Sequence, residues 1–227
     1  MQVILFSGGL DSTALAALYG DRRDLLVSFD YGQRHGPREL AAARSVAQAL
    51  GLRHEVVDLR SVTKLLPGSA LTDAEVEVPE GHYAAPTMRS TVVPNRNAIM
   101  LSIAAGIASA QGGGAVMTAV HAGDHAVYPD CRPEFVERMN AMLTASLSGL
   151  AGAQVFAPFV HLTKTDIVAR GASVRAPFAL SWSCYAGGDL HCGRCGTCVE
   201  RAEAFDAAGV EDPTVYESPD FWRTARA

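Results

Sequence analysis

Two groups of residues in this chain have the types and spacing to do chemistry. The first is Ser7-Gly8-Gly9-Leu10-Asp11-Ser12-Thr13, set between the apolar run Val3 to Phe6 and the helical pattern Ala14, Leu15, Ala17, Leu18. A glycine-rich turn from a strand into a helix leaves backbone N–H groups unpaired at the positive end of the helix dipole, and serine and threonine hydroxyls add donors. Such a turn binds phosphate. The Gly-Lys-Ser/Thr ending of the P-loop is absent. Asp11 would repel an anion held there, so Mg²⁺ is expected between its carboxylate and the phosphates. Phe6, Ser7, Gly8, Gly9, Leu10, Asp11, Ser12 and Thr13 are therefore the candidate nucleotide-binding residues.

The second group is Cys184, Cys192, Cys195 and Cys198, four of the five cysteines, with seven, two and two residues between them. Thiolates two residues apart converge from a tight turn onto one cation, and four of them complete the tetrahedral shell of a structural Zn²⁺ with no position left open. Gly193 and Gly196 lie between the ligands and suit the turns of such a knuckle. An iron–sulfur cluster is the rival occupant, because the same short spacing occurs in ferredoxin-type runs. Disulfides are disfavoured in a chain with an adequate core. Cys131, outside the cluster, reads as a small buried residue rather than a covalent nucleophile.

The elements that must position these groups alternate. Strands are predicted at Val3 to Phe6, Leu25 to Asp30, His54 to Leu59, Ala115 to Ala119 and Gln154 to Ala157, as the short apolar runs of buried parallel strands. Leu40, Ala43, Val46, Ala47 and Leu50 line one helix face with Gly51 closing it, and Pro133 opens a helix carrying Phe135, Val136, Met139, Leu143 and Leu147. The segment Ala98 to Ala110 is apolar nearly all round and predicts a buried helix, followed by a Gly112-Gly113-Gly114 turn. This order predicts an α/β fold, a doubly wound open parallel sheet with its ligand site beyond the strand C-termini. The stretch Pro67 to Asn95, rich in Pro and Gly, is expected to be a substrate-facing flap.

With 227 residues, 48% of them hydrophobic, the chain is read as one domain over 1–227 that includes a metal-binding element at about 182–201. No charged leader precedes an apolar segment, and no run of about 18 apolar residues occurs, so a cytoplasmic protein with no membrane partner is expected. A net charge of −5 disfavours a surface built to neutralise nucleic acid and favours small substrates.

The loop Ser7 to Thr13 resembles the pyrophosphate loop of ATP pyrophosphatases, which adenylate a substrate and release pyrophosphate. Further motifs narrow this: Phe29-Asp30-Tyr31-Gly32-Gln33-Arg34-His35, Val93-Pro94-Asn95-Arg96-Asn97, Tyr128-Pro129-Asp130-Cys131-Arg132, Lys164-Thr165-Asp166-Ile167, and Ser183-Cys184-Tyr185 with the cysteine knuckle. Together they resemble the 7-cyano-7-deazaguanine synthase (QueC) family, from Val3 to about Arg201. The resemblance implies strand order 3-2-1-4-5 in an adenine nucleotide alpha hydrolase-like sheet with a C-terminal zinc knuckle. It also implies ATP with Mg²⁺, ammonia and 7-carboxy-7-deazaguanine as the reactants, and a homodimer with no stable nucleic-acid binding. No glutaminase domain is visible, so free ammonia is the expected nitrogen donor. The tail near Phe221 and Trp222 is expected at a subunit interface.

Adenylation turns a carboxylate oxygen into a leaving group, ammonia displaces AMP to give an amide, and a second adenylation leads to the nitrile. Asp11, Arg96, Lys164 and Asp124 are the candidate catalytic residues. Arg96 suits the carboxylate or α-phosphate through its guanidinium fork, Lys164 a phosphate, and Asp124 the donor edge of the deazaguanine or a metal. Arg96, Asn97, Asp124, Tyr128, Asp130 and Arg132 are the expected substrate contacts. His35, His121 and His125 are potential proton shuttles. The chain departs from the family at Asn95, where many members carry Gly, and at Gly123-Asp124-His125-Ala126-Val127, where only Asp124 keeps register with their Thr-Asp-Phe-Ser-Gly.

Overall fold

The computed structural model describes residues 1–83 and 86–225. Its elements run β1 (Val3–Leu5), α1 (Leu10–Tyr19), β2 (Leu25–Asp30), α2 (Gly36–Leu50), β3 (Arg53–Asp58), α3 (Arg60–Thr63) and α4 (Arg96–Ala110), then β4 (Gly114–Met117), α5 (Pro133–Ser146), β5 (Ala153–Phe156), α6 (Lys164–Ser173), α7 (Gly196–Ala208) and α8 (Phe221–Thr224). The five strands are parallel in the order β3-β2-β1-β4-β5, as expected. Successive strand side chains point to opposite faces, and the two cores follow from that. Val3, Leu25, Val27 and Phe29 meet α4 and α5, whereas Ile4, Phe6 and Leu26 meet α1, α2, α6 and α7. The chain order changes direction between β1 and β4, so the loops after β1, β2 and β4 share one crevice.

Three expectations change. Arg53–Asp58 is an edge strand whose residues are exposed or half-buried, because only one neighbour, β2, pairs with it. Helix α4 is not buried all round: Met100, Leu101, Ala104, Ala105 and Ala108 enter the core, while Ser102, Gly106 and Ala110 face outward. The stretch Pro67 to Asn95, of which residues 84 and 85 lie outside the described residues, is a packed strap. Ser69, Ala70, Leu71, Tyr83, Met88, Thr91 and Val93 are buried in it. Arg34 ties it down by donating to the carbonyls of Asp73 and Val76 at 2.7 and 2.8 Å.

The C-terminal tail packs on its own chain. Trp222 is buried against Val199 and Ala202 of α7, and the guanidinium of Arg194 lies 4.7 Å over the ring of Phe221. These contacts already cover the indole that was expected to seek a partner subunit. Among the described residues no helix is long and apolar enough to cross a membrane.

Candidate active site

The turn after β1 enters α1 with Gly9 at the N-cap and no side-chain cap, so the helix N-terminus is left for a ligand. Gly8 has φ +79°, and a Cβ there would lie 2.5 Å from the backbone nitrogen of Ala43, so only glycine lets the loop press this closely on α2. Ser12 Oγ accepts from Gly8 N–H at 3.1 Å and Ser7 Oγ accepts from Gly9 N–H at 3.1 Å, which fixes the loop from within. Phe6, Ser7, Gly9, Leu10, Asp11 and Ser12 line the crevice. Gly8 and Thr13 do not: Gly8 faces α2, and Thr13 is fully buried behind the helix start.

Beside this turn Lys164, the first residue of α6, is brought in by the Thr163–Asp166 capping box. Its Nζ lies 3.2 Å from Asp11 Oδ2 and 2.6 Å from Glu200 Oε2. Burial alone would push its ammonium down, and the carboxylates of Asp11, Glu200 and Asp124 more than reverse that, so it stays charged. It is therefore no solvated surface lysine. Asp11 Oδ1 is buried and has no hydrogen-bond partner among the described residues, which is the donor a hard cation takes. The thiolates of the knuckle and the oxygens here are different donor sets, suited to different metals.

Asp124 has two roles at once. Its Oδ2 accepts from the His121 backbone N–H at 3.1 Å and closes a capping box, and its Oδ1 accepts from the Tyr83 hydroxyl at 3.2 Å on the pocket wall. Gly123 N–H donates to His121 Nδ1 at 3.1 Å, so the imidazole turns Nε2 toward Asp124 and Asp11, at 3.6 and 3.9 Å. His121 and His125 lie off the pocket wall; of the three histidines expected as shuttles only His35 is on it.

The start of α4 builds another part of the pocket wall. Asn95 adopts φ 59°, a left-handed conformation that asparagine tolerates, and so turns the chain where many members of the family it resembles carry glycine. Arg96 then lies on the pocket wall, its guanidinium 5.5 Å from the Tyr31 ring and donating to the Tyr31 hydroxyl at 3.0 Å. Burial pushes the Tyr31 phenol up to about 12 despite the pull of Arg96, so this hydroxyl stays neutral. Asn97 and Tyr128 also line the pocket, Tyr128 held by Thr91 at 2.6 Å.

Asp130 and Arg132 do not line it. Asp130 accepts the Asn97 backbone N–H at 2.9 Å and serves the N-terminus of α4, while Arg132 is exposed and donates to the His125 carbonyl at 2.9 Å. The short 3-10 turn Pro129–Cys131 sends alternate side chains in different directions, and Tyr128 and Cys131 are the two that face the pocket. Cys131 is buried, its Sγ accepts from Asn97 Nδ2 at 3.1 Å, and burial pushes its thiol far up. A neutral thiol is a poor nucleophile.

Sequence reasoning missed Glu39, Tyr83, Trp182 and Tyr185 on the wall and Glu200 behind Lys164. Glu200 stands two residues after Cys198, on the helix that the knuckle begins. The four Sγ atoms of Cys184, Cys192, Cys195 and Cys198 lie within 4.8 Å of one another. Backbone N–H groups of Cys192, Arg194 and Cys195 donate to their sulfurs at 3.3, 3.4 and 3.3 Å. This is a four-thiol metal site, and its donors suit Zn²⁺. Gly193 has φ +75° with Ser218 pressed against it, as the turn requires, whereas Gly196 is the first residue of α7 and makes room for Met88.

The family model described as queuosine biosynthesis protein QueC matches residues 1–209. The chain is 57% identical over 225 residues to a 7-cyano-7-deazaguanine synthase of Rhizobium rhizogenes, covering 98% of this chain and 94% of that one. It is 58% identical over 226 residues to a protein of the same name from Chelativorans, covering 99% and 97%. Among solved structures, NMN synthetase from Francisella tularensis aligns with a TM-score of 0.48 and 15% identity, over 98% of this chain and 83% of that one.

Proposed function

We propose a nitrile-forming ligase reaction for this pocket, since the chain belongs to the family of queuosine biosynthesis protein QueC. In our reading it is a 7-cyano-7-deazaguanine synthase that uses ATP and ammonia to convert 7-carboxy-7-deazaguanine, through the amide, into the nitrile. The observation that carries this reading is one pocket wall that holds an open helix N-terminus, Lys164 and the guanidinium of Arg96 together.

A carboxylate resists ammonia because its charge and its poor leaving group both oppose attack. The carboxylate oxygen attacks the α-phosphate, pyrophosphate leaves, and the acyl carbon becomes electrophilic. The N-terminus of α1, Ser7, Ser12 and Lys164 supply positive potential where the pyrophosphate gains charge. The apolar wall from Leu5, Phe6, Val27, Phe29 and Leu40 fits the adenine ring. Asp11, with its unpartnered Oδ1, and Asp124 would hold Mg²⁺, which supplies charge neutralisation of the phosphates when bound. Arg96 matches a carboxylate with two parallel donors, and Tyr31 limits where it can point.

Asn97, Tyr128 and Asp124 line the same pocket and offer hydrogen bonds to a purine-like edge, with Tyr83, Tyr185 and Trp182 giving aromatic surface. Asp130 becomes a positioning residue for α4, and Arg132 drops out of the substrate set. Ammonia then displaces AMP, and a second adenylation on the amide oxygen allows elimination to the nitrile in the same pocket. Zn²⁺ in the knuckle would be held by Cys184, Cys192, Cys195 and Cys198 and would be structural, since four thiolates leave it no open position. We further take the enzyme to be a cytoplasmic homodimer using free ammonia. Incubation with ATP, Mg²⁺, ammonium and 7-carboxy-7-deazaguanine should give the nitrile by mass spectrometry; ATP consumption without an amide or a nitrile contradicts the reading.

A further inference from the structure

The reaction just described moves protons, and no residue has yet been given the role of accepting them. In neutral water ammonia is held largely as ammonium, which has no lone pair, and nitrile formation must remove the last N–H proton. A base on the pocket wall is needed. Three carboxylates lie there, Asp11, Asp124 and Glu39. Asp11 faces Lys164 at 3.2 Å, and Asp124 is occupied by the His121 backbone and the Tyr83 hydroxyl. Each is tied to a charge or a fold contact.

Glu39 differs. It sits in the first turn of α2, largely buried, and its Oε2 accepts from the neutral amide of Gln33 at 2.7 Å. That amide is itself fixed, accepting from Tyr31 N–H at 2.9 Å and donating to the Phe29 carbonyl at 3.1 Å. Oε1 has no hydrogen-bond partner among the described residues. The charged and titratable groups around Glu39 are His35 at 3.9 Å on its own segment, Arg96 on α4 and the Tyr31 phenol at the end of β2. His35 is pushed down to about 3 by burial and by Arg96 and Arg34, so it is neutral and does not pair with Glu39.

We propose that Glu39 is the catalytic base of both nitrogen-handling steps, binding ammonium through Oε1 beside the acyl group held by Arg96. In the first step one ammonium proton passes to Oε1, and the freed lone pair forms the C–N bond. The C–O bond to AMP breaks with its electrons going to the phosphate, which carries away the second proton. After Glu39 releases its proton to solvent, adenylation of the amide oxygen expels pyrophosphate, which takes one of the two amide N–H protons, and the adenylated imidate that results gives the last N–H proton to Oε1. The N–H electrons then form the last C–N π bond as AMP leaves again. Burial pushes the Glu39 carboxyl up to about 7, against the opposing pull of Gln33 and Arg96, which suits a base working near neutrality. The base acts as the carboxylate, so turnover rises as pH rises through that value.

This assignment rests on the synthase reading, and the test separates the two. Hydroxylamine is neutral at pH 7 and attacks an acyl adenylate without a base, giving a hydroxamate. Glu39→Gln should cut nitrile formation from ammonium by about 10²-fold or more, while hydroxamate formation stays within about threefold of wild type. A variant that makes nitrile at the wild-type rate, or loses both products equally, overturns the assignment. In the unmodified enzyme at fixed total ammonium, turnover should level off above the Glu39 inflection; a rate that keeps pace with free ammonia across the whole range also overturns it. Wild-type enzyme with no substrate-dependent ATP–pyrophosphate exchange would instead defeat the synthase reading, and Glu39's role with it.

Discussion

Lys164 Nζ lies 2.6 Å from Glu200 Oε2, and this contact joins the pocket wall beside the N-terminus of α1 to the helix that the cysteine knuckle starts. Glu200 sits on α7 five residues after its N-cap, Cys195, so the metal site sets the position of the carboxylate that holds the lysine. The knuckle is thereby a support for the proposed nucleotide site as well as for the fold.

Glu200→Gln keeps the shape of the side chain and removes its charge. Lys164 would retain Asp11 as its partner but gain freedom to move. We expect kcat/KM for ATP to fall about tenfold and stability to fall by about 1–3 kcal/mol. Unchanged ATP kinetics in a folded variant would show that Lys164 needs no such support.

Asp11→Asn leaves the loop geometry in place, since Ser7 and Ser12 fix it, and removes the charge proposed to hold Mg²⁺. Turnover should fall by about 10²–10³-fold with the thermal midpoint little changed. Near-wild-type turnover with intact metal dependence would remove Asp11 from the metal site.

Elemental analysis should find one zinc per chain. Cys195→Ala should yield an unstable protein, because the binding free energy of a structural zinc is folding free energy. Partial removal by a chelator should weaken ATP binding before the sheet unfolds, through loss of the Glu200 contact. Iron with visible cluster absorption would replace zinc by an iron–sulfur centre.

Cys131→Ser tests whether the pocket cysteine reacts. Its thiol is buried and held neutral, so the variant should keep nitrile formation within about tenfold and lose about 1–3 kcal/mol of stability for the buried hydroxyl. A substrate-mass adduct on the wild type that vanishes in the variant, together with loss of turnover, would make it a covalent catalyst.

The glycine-rich turn and the cysteine cluster were legible because each is local: a few residues in a row determine backbone path and donor set. The strand order followed from the family resemblance and agrees with the pairing observed. What lay beyond sequence was direction. Asp130 and Arg132 share a motif with Tyr128 and Cys131, yet the 3-10 turn sends them to a helix start and to a carbonyl. Glu39 and Glu200 carry no local signal of their own, and only the packing of α2 and α7 beside the crevice brings them to it. His54 to Leu59 read as a buried strand, but β3 pairs on one side only, so Val56 is exposed.

The central claim is that the substrate's own carboxylate oxygens leave on AMP, one in each of two adenylations at this pocket. With both carboxylate oxygens of 7-carboxy-7-deazaguanine labelled with ¹⁸O, mass spectrometry of the AMP released during nitrile formation tests this directly. The account predicts one ¹⁸O in every AMP, two AMP per nitrile and none in pyrophosphate. Unlabelled AMP, or label released to water, would contradict it.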